Sequence, residues 1–180
     1  MDVREIIAQA RAQGRSSLTE ADAKRVLRAY DVPVIDEAVA LTHLDAVTHA
    51  KRFGFPVVVK GHGFRLTHKT ERGLVRTGIC SETELLNALE AIEAAAGDDL
   101  EGYLVQPQIE GNREFVAGLF RDRQFGPVVM FGIGGIFTEA LQDVVFQIAP
   151  ITRSEALHAI DEIHAQPMLG AFRSQKAVDR

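Results

Sequence analysis

The run Pro56-Val57-Val58-Val59-Lys60 constrains this chain more than any other segment. Three consecutive valines are β-branched and apolar, and the run is too short for a helix, so it reads as a buried strand that ends in a lysine. Burying an ammonium group is costly unless an anion meets it. Lys60 therefore requires an anionic partner, and two kinds satisfy it: the phosphates of a bound nucleotide, or a carboxylate of the protein itself.

The segment after the strand, residues 61–73, gathers two histidines, three further cations and three glycines. Such a loop suits phosphate, because glycine lets backbone N–H groups come close to an anion and Lys or Arg add charge-assisted hydrogen bonds. A mobile, solvated basic loop fits the same spacing. His68 has the chemistry of a phosphoryl-transfer nucleophile, and also that of an ordinary exposed histidine. No His/Cys/Asp spacing of metal-ligand type is present.

Around this strand the sequence alternates elements. A leading helix over residues 2–13 is followed by the linker Gly14-Arg15-Ser16-Ser17. Thr19 caps a second helix with the apolar stripe Ala23, Val26, Leu27 and Tyr30. Residues 34–40 read as a strand. A helix capped by Thr42 or Asp45 then carries Ala46, Val47, Ala50 and Phe53 inward and stops at Gly54. A strand over 74–79 leads to a helix opened by a Ser81/Glu84 capping box, with Leu85, Leu86, Leu89 and Ile92 facing inward. The second half is strand-rich, with strands at 103–109, 114–120, 128–131 and 144–148, then a helix over 154–164. We expect two α+β lobes, 18–105 and 106–180, after an N-terminal helix and linker at 1–17, with a cofactor cleft at the joint.

That joint, Gln106 through Glu114, concentrates polar groups between two apolar strands. Its backbone can read an adenine edge and Glu114 can accept from ribose hydroxyls; a polar turn with a surface glutamate reads equally well. The glycines of Gly132-Ile133-Gly134-Gly135 do not follow the G-x-G-x-x-G spacing, so a tight turn exposing Thr138 and Glu139 is expected there rather than a dinucleotide fingerprint. Asp143 follows Glu139 closely enough for the two carboxylates to share a site or simply to be solvated.

Composition narrows the partners. The chain has 180 residues, 46% of them hydrophobic, enough for a real core, and a formal net charge of -5 that offers no uniform basic surface to nucleic acid or an anionic membrane. Residues 1–13 lack a signal-peptide apolar run, and nothing later reaches transmembrane length. A single cysteine, Cys80, cannot form an internal disulfide and suits the cytoplasm.

Taken in order, Val57-Val58-Val59-Lys60, His68 through Gly73, Gln106 through Glu114, Phe125 through Gly135 and Asp143-Val144-Val145-Phe146 resemble one family. It is the ATP-grasp β subunit or domain of ADP-forming acyl-CoA synthetases, related to the succinyl-CoA synthetase β subunit, and the likeness runs from about Leu18 to Arg173. The resemblance implies that Lys60 binds ATP phosphates, that Gly73 belongs to the loop over them, and that Gln106, Ile109 and Glu114 line the adenosine pocket. It implies that His68 relays a phosphoryl group between ADP/ATP and a phosphohistidine on an α-type, CoA-binding partner. Neutral imidazole is nucleophilic near pH 7, which suits that work.

Two positions depart from the family pattern: Glu71 stands where Asp is frequent, and Leu74 where a second glycine is frequent. The family continues into a strand that holds Mg²⁺, whereas this sequence stops at Arg180, so a C-terminally truncated ATP-grasp fold is expected. Alone, such a chain would be inactive, and its incomplete second lobe would invite self-association. The alternative from another class is a non-catalytic nucleotide-sensing or interaction module on the same fold.

Overall fold

The computed structural model describes residues 2–66, 68–111, 113–135, 138–172 and 176–179, with Glu139 and Ala140 described by their backbone alone. Thr67 of the basic loop, Asn112 of the joint, Ile136 and Phe137 of the glycine turn, Arg173, Arg180 and the expected exposure of the Glu139 side chain fall outside the described residues. The chain divides into two compact units, residues 1–109 and 110–180.

In the first unit, helices begin where short polar side chains satisfy free backbone N–H groups. Asp2 caps α1 (Val3–Ala12) and Thr19 caps α2 (Glu20–Ala29). Thr42 and Asp45 form a reciprocal capping box on α3 (His43–Phe53), which ends at Gly54 with φ 80°. Ser81 caps α4 (Glu82–Ala96), but the Glu84 carboxylate accepts from the Cys80 N–H at 2.8 Å instead of from Ser81, so the expected box closes one residue early.

The strands are β1 (Ala38–Ala40), β2 (Val57–His62), β3 (Val75–Ile79) and β4 (Gly102–Pro107). They form one sheet in the order β1-β4-β2-β3, with every neighbouring pair antiparallel. β1 is shorter than the expected strand over 34–40. β2 runs centrally between β4 and β3, which explains the valine run: an inner strand with both faces covered selects branched apolar residues.

Side chains alternate across this sheet, and its two faces differ. Val57 and Val59 of β2 and Tyr103 and Val105 of β4 pack with Ala46 and Ala50 of α3 and Leu85, Leu89 and Ile92 of α4 in the main core. The opposite face carries Val58, Lys60 and His62 on β2, and Leu104 and Gln106 on β4, with Lys60 opposite Leu104 and Val58 opposite Gln106. The stripe expected on α2 does not supply a core: Leu27 is 43% and Tyr30 70% exposed, while Asp22 is buried. Its inward side is charged because it meets the polar face of the sheet.

The second unit is a three-stranded antiparallel sheet of β5 (Phe115–Asp122), β6 (Gly126–Ile133) and β7 (Val144–Ile148). A hairpin joins β5 to β6, and the Asp122 carboxylate fixes its turn by accepting from the N–H groups of Gln124 and Phe125. A one-turn helix, α5 (Thr138–Leu141), leads into β7, and α6 (Arg153–Glu162) follows with Thr152 and Glu155 as its capping box. Ile133, Ile163 and Leu169 centre a small core with Phe115 and Phe131 stacked at 5.9 Å. The face of the sheet bearing Phe120 and Phe146 leaves both rings about half exposed.

Candidate functional site

Lys60 does meet an anion, and it is a carboxylate of the protein: its Nζ donates to Glu20 Oε1 at 2.6 Å. Glu20 opens α2, directly after the Thr19 cap, so the capping geometry aims it at the sheet. Its other oxygen accepts from Lys69 Nζ at 3.2 Å, which draws the basic loop onto β2. The strand runs two residues past Lys60, to His62, because Gly61 and His62 still pair with β4, so the lysine lies within the strand rather than at its end. Lys24, one helical turn along, lies 3.2 Å from Glu20 Oε1, pairs with the Glu37 carboxylate and donates to Gln106 Oε1 at 3.2 Å. Lys60 and Gln106 thus belong to one hydrogen-bonded network on the polar face of the sheet.

None of these charges is freely solvated. The side chains of Lys60, Lys69 and Lys24 are 20%, 17% and 16% exposed and that of Glu20 is 25% exposed. Burial alone would push the Glu20 carboxyl up, but the hydrogen bond from Lys60 and the charges of Lys60, Lys69 and Lys24 outweigh it and hold the group at about 2. Three ammonium groups against the carboxylates of Glu20 and Glu37 leave the network with one formal positive charge.

Residues 68–74 form a hydrogen-bonded turn. Leu74 N–H donates to the Lys69 carbonyl at 2.8 Å, Gly73 N–H to Thr70, and Arg72 N–H to His68. Gly73 has φ +69°, a conformation that a Cβ disfavours. His68 adopts φ +51° without being glycine, which holds its imidazole in an uncommon backbone state. That side chain is 74% exposed, with Nδ1 3.7 Å from Glu71 Oε2. Arg65 and Arg72 both approach Asp99, at 3.8 Å, so the cations of the loop are shared among protein carboxylates.

Beside the network, a cavity of about 550 Å³ between α1, α2 and the sheet is lined by Arg15, Asp22, Arg25, His62, Phe64 and Glu101 among others. Burial pushes the His62 imidazole down and the Lys69 charge adds to this, against the opposing pull of Glu101, Asp22 and Glu37. Its Nδ1 is sealed from solvent and has no hydrogen-bond partner among the described residues.

The remaining expected residues lie elsewhere. Ile109, the last residue of the first unit, is 69% exposed. Glu114 belongs to the second unit, where its carbonyl accepts from Gly134 N–H at 2.8 Å. A Cβ on Gly135 would come within 2.6 Å of Glu114 Oε2, so the glycine turn is shaped around this carboxylate. Asp143 is not solvated: it is 7% exposed and accepts from the N–H groups of His164 and Ala165 at 2.8 and 2.7 Å and from His164 Nδ1 at 3.0 Å. Among the described residues no group of three His, Cys, Asp or Glu side chains gathers to hold a metal ion. Nor is any described helix long and apolar enough to cross a membrane.

Sequence reasoning missed Glu20, Lys24 and Glu37. The available signal was the i,i+4 pair Glu20/Lys24 on a helix whose apolar stripe is sparse, a pattern that places charge on the buried side as readily as on the solvated one.

Comparison with known proteins follows the same outline. The ATP-grasp domain family matches residues 9–180. The β subunit of acetate–CoA ligase [ADP-forming] I from Pyrococcus furiosus is 40% identical over 181 residues, spanning 98% of this chain and 78% of that subunit. Acetyl-coenzyme A synthetase 1 of Ca. Korarchaeum cryptofilum, solved with coenzyme A and Ca-AMPCP, superposes with TM-score 0.94 and 36% identity, covering 99% of this chain and 80% of that one. A second structure of that enzyme, with Mg-AMPPCP and its phosphohistidine segment pointing towards the nucleotide-binding site, gives TM-score 0.86 at 36% identity over 99% of this chain and 78% of that one. With its antiparallel sheets, its lysine on the central strand β2 and a match along almost its whole length, the chain belongs to the ATP-grasp family, in the branch that contains the β subunits of ADP-forming acetate–CoA ligases.

Proposed function

We propose that this chain is the nucleotide-binding module of an ADP-forming acid–CoA ligase, and that it passes a phosphoryl group between ADP/ATP and a phosphohistidine on an α-type, CoA-binding partner. The observation that carries this reading is the lysine network on the polar face of the sheet, with Lys60 and Gln106 joined through Glu20 and Lys24, in a chain of this family. Phosphoryl transfer requires positioning and charge neutralisation more than covalent chemistry by the protein, and an ammonium on β2 beside a second from a glycine-closed turn supplies both. Gln106, Ile109 and Glu114 are the residues for the adenosine moiety, and Gly73 permits the turn over the phosphates.

His68 is the relay in this proposal. Its exposed imidazole attacks the phosphorus of the partner's phosphohistidine; the P–N bond to the partner breaks as the bond to His68 forms, and an ADP β-phosphate oxygen then takes the phosphoryl group to give ATP. Solvent exposure suits a group that must meet a partner segment. A reducing cytoplasm suits Cys80, which is exposed and free.

The test is to produce the chain joined to the Mg²⁺-holding strand of a family β subunit, together with an α-type partner, and measure acid- and CoA-dependent formation of ADP from ATP. Wild type should turn over and His68→Ala should lose at least a hundredfold in rate while still binding ATP. Full turnover by His68→Ala would remove the relay; ATP binding without turnover in any pairing would favour the nucleotide-sensing module instead.

A further inference from the structure

We infer that Glu20 is a positioning residue for the phosphate site: it holds Lys69 of the loop beside Lys60 of the strand, so that two ammonium groups face an incoming phosphate together. This rests on the reading of Lys60 as a phosphate ligand and adds to it a residue from outside the loop and strand that bear the expected phosphate ligands.

The two lysines come from different places. Lys60 is fixed by the register of β2 against β4, whereas Lys69 sits in the turn between β2 and β3. Without an anion between them, two partly buried ammonium groups would repel, and the turn is the element free to yield. Glu20 bridges them with different oxygens, Oε1 to Lys60 at 2.6 Å and Oε2 to Lys69 at 3.2 Å. Each ammonium has three donors, so one hydrogen bond to Glu20 leaves the others for phosphate oxygens. Glu20 is itself fixed: it follows the Thr19 cap at the start of α2, and Lys24 on the same helix meets Oε1 at 3.2 Å while donating to Gln106. One carboxylate thereby sets the spacing of the cations and connects them to the strand carrying Gln106. The formal positive charge left on the network keeps it attractive to phosphate.

The experiment is calorimetric titration of ATP and, separately, of adenosine into the full chain as wild type, Glu20→Gln, Glu20→Asp, Lys69→Met and the Glu20→Gln/Lys69→Met double variant. Glu20→Gln should weaken ATP at least tenfold and leave adenosine within twofold, because only the phosphate contacts are disturbed. Glu20→Asp should recover part of the loss, since it restores the charge on a shorter arm. The double variant should bind ATP no more weakly than Lys69→Met, because Glu20 acts through that lysine. Should Glu20→Gln fail to fold, Glu20→Asp serves for the same comparison, with an ATP-selective loss of intermediate size. ATP binding to Glu20→Gln as tight as wild type or tighter, or losses that multiply in the double variant, would overturn the positioning role while leaving the nucleotide reading intact. Wild type that binds neither ATP nor adenosine would remove both.

Discussion

The two faces of the four-stranded sheet in the first unit are made by alternate residues of the same strands, yet they are held by different physics. On one face Val57, Val59 and Val105 meet Leu85, Leu89 and Ile92, all fully buried, and the contact is non-directional and tolerant of rearrangement only at constant volume. On the other face Lys60 and Gln106 meet Glu20 and Lys24, and the contact depends on distance, charge and the capping of α2. A single strand thus anchors the fold with its odd-numbered residues and presents chemistry with its even-numbered ones. Stability and binding should therefore separate under mutation.

The largest expected effect is on the apolar face. Leu89→Ala removes a fully buried side chain from α4 and should destabilise the protein by about 2–5 kcal/mol, read by urea or thermal unfolding. Any residual folded protein should show wild-type affinity for ATP, and a selective loss of ATP binding would blur the division between faces.

Next is pH. Because the Glu20 carboxyl is held at about 2, well below its ordinary 4.5, the folded state binds its proton less readily than the unfolded chain does. That stabilisation is complete above pH 4.5 and is lost as pH falls towards 2. Wild type should lose on the order of 2–3 kcal/mol from this group across that window, and Glu20→Gln should unfold with a flatter acid profile. Equal slopes for the two proteins would mean that the lysine network contributes nothing to the fold.

Lys60→Met sharpens the contrast from the binding side. It should abolish measurable ATP binding while costing about 1–2 kcal/mol in stability, since Glu20 keeps Lys69 and Lys24 as partners. The smallest effect belongs to Gly73→Ala, where φ +69° opposes a Cβ that otherwise meets only the Arg76 guanidinium, in ordinary contact at 3.9 Å; a loss of about 1 kcal/mol is expected, with weaker binding only if the turn shifts.

Some of this architecture was readable before any coordinates. The valine run, the caps at Thr19, Thr42 and Ser81 and the glycine stop at Gly54 are local rules, each decided within four residues, and the helices appear where those rules place them. Where the local signal is weak the reading slips: residues 34–40 contribute only Ala38–Ala40 to the sheet, and the stripe on α2 gives way to Asp22 as its buried residue. Asp143 is another such case, since its three donors come from His164 and Ala165, more than twenty positions away.

Lys60 marks the boundary between the two kinds of knowledge. That a buried strand carrying an ammonium must find an anion follows from the cost of desolvating charge, which the residue types already contain. Which anion it finds is a matter of three-dimensional proximity: forty positions separate Lys60 from Glu20, and only strand register together with the cap of α2 brings them to 2.6 Å. Sequence determined the need for a partner because hydration energies belong to residues; tertiary structure chose the partner because distances belong to the fold.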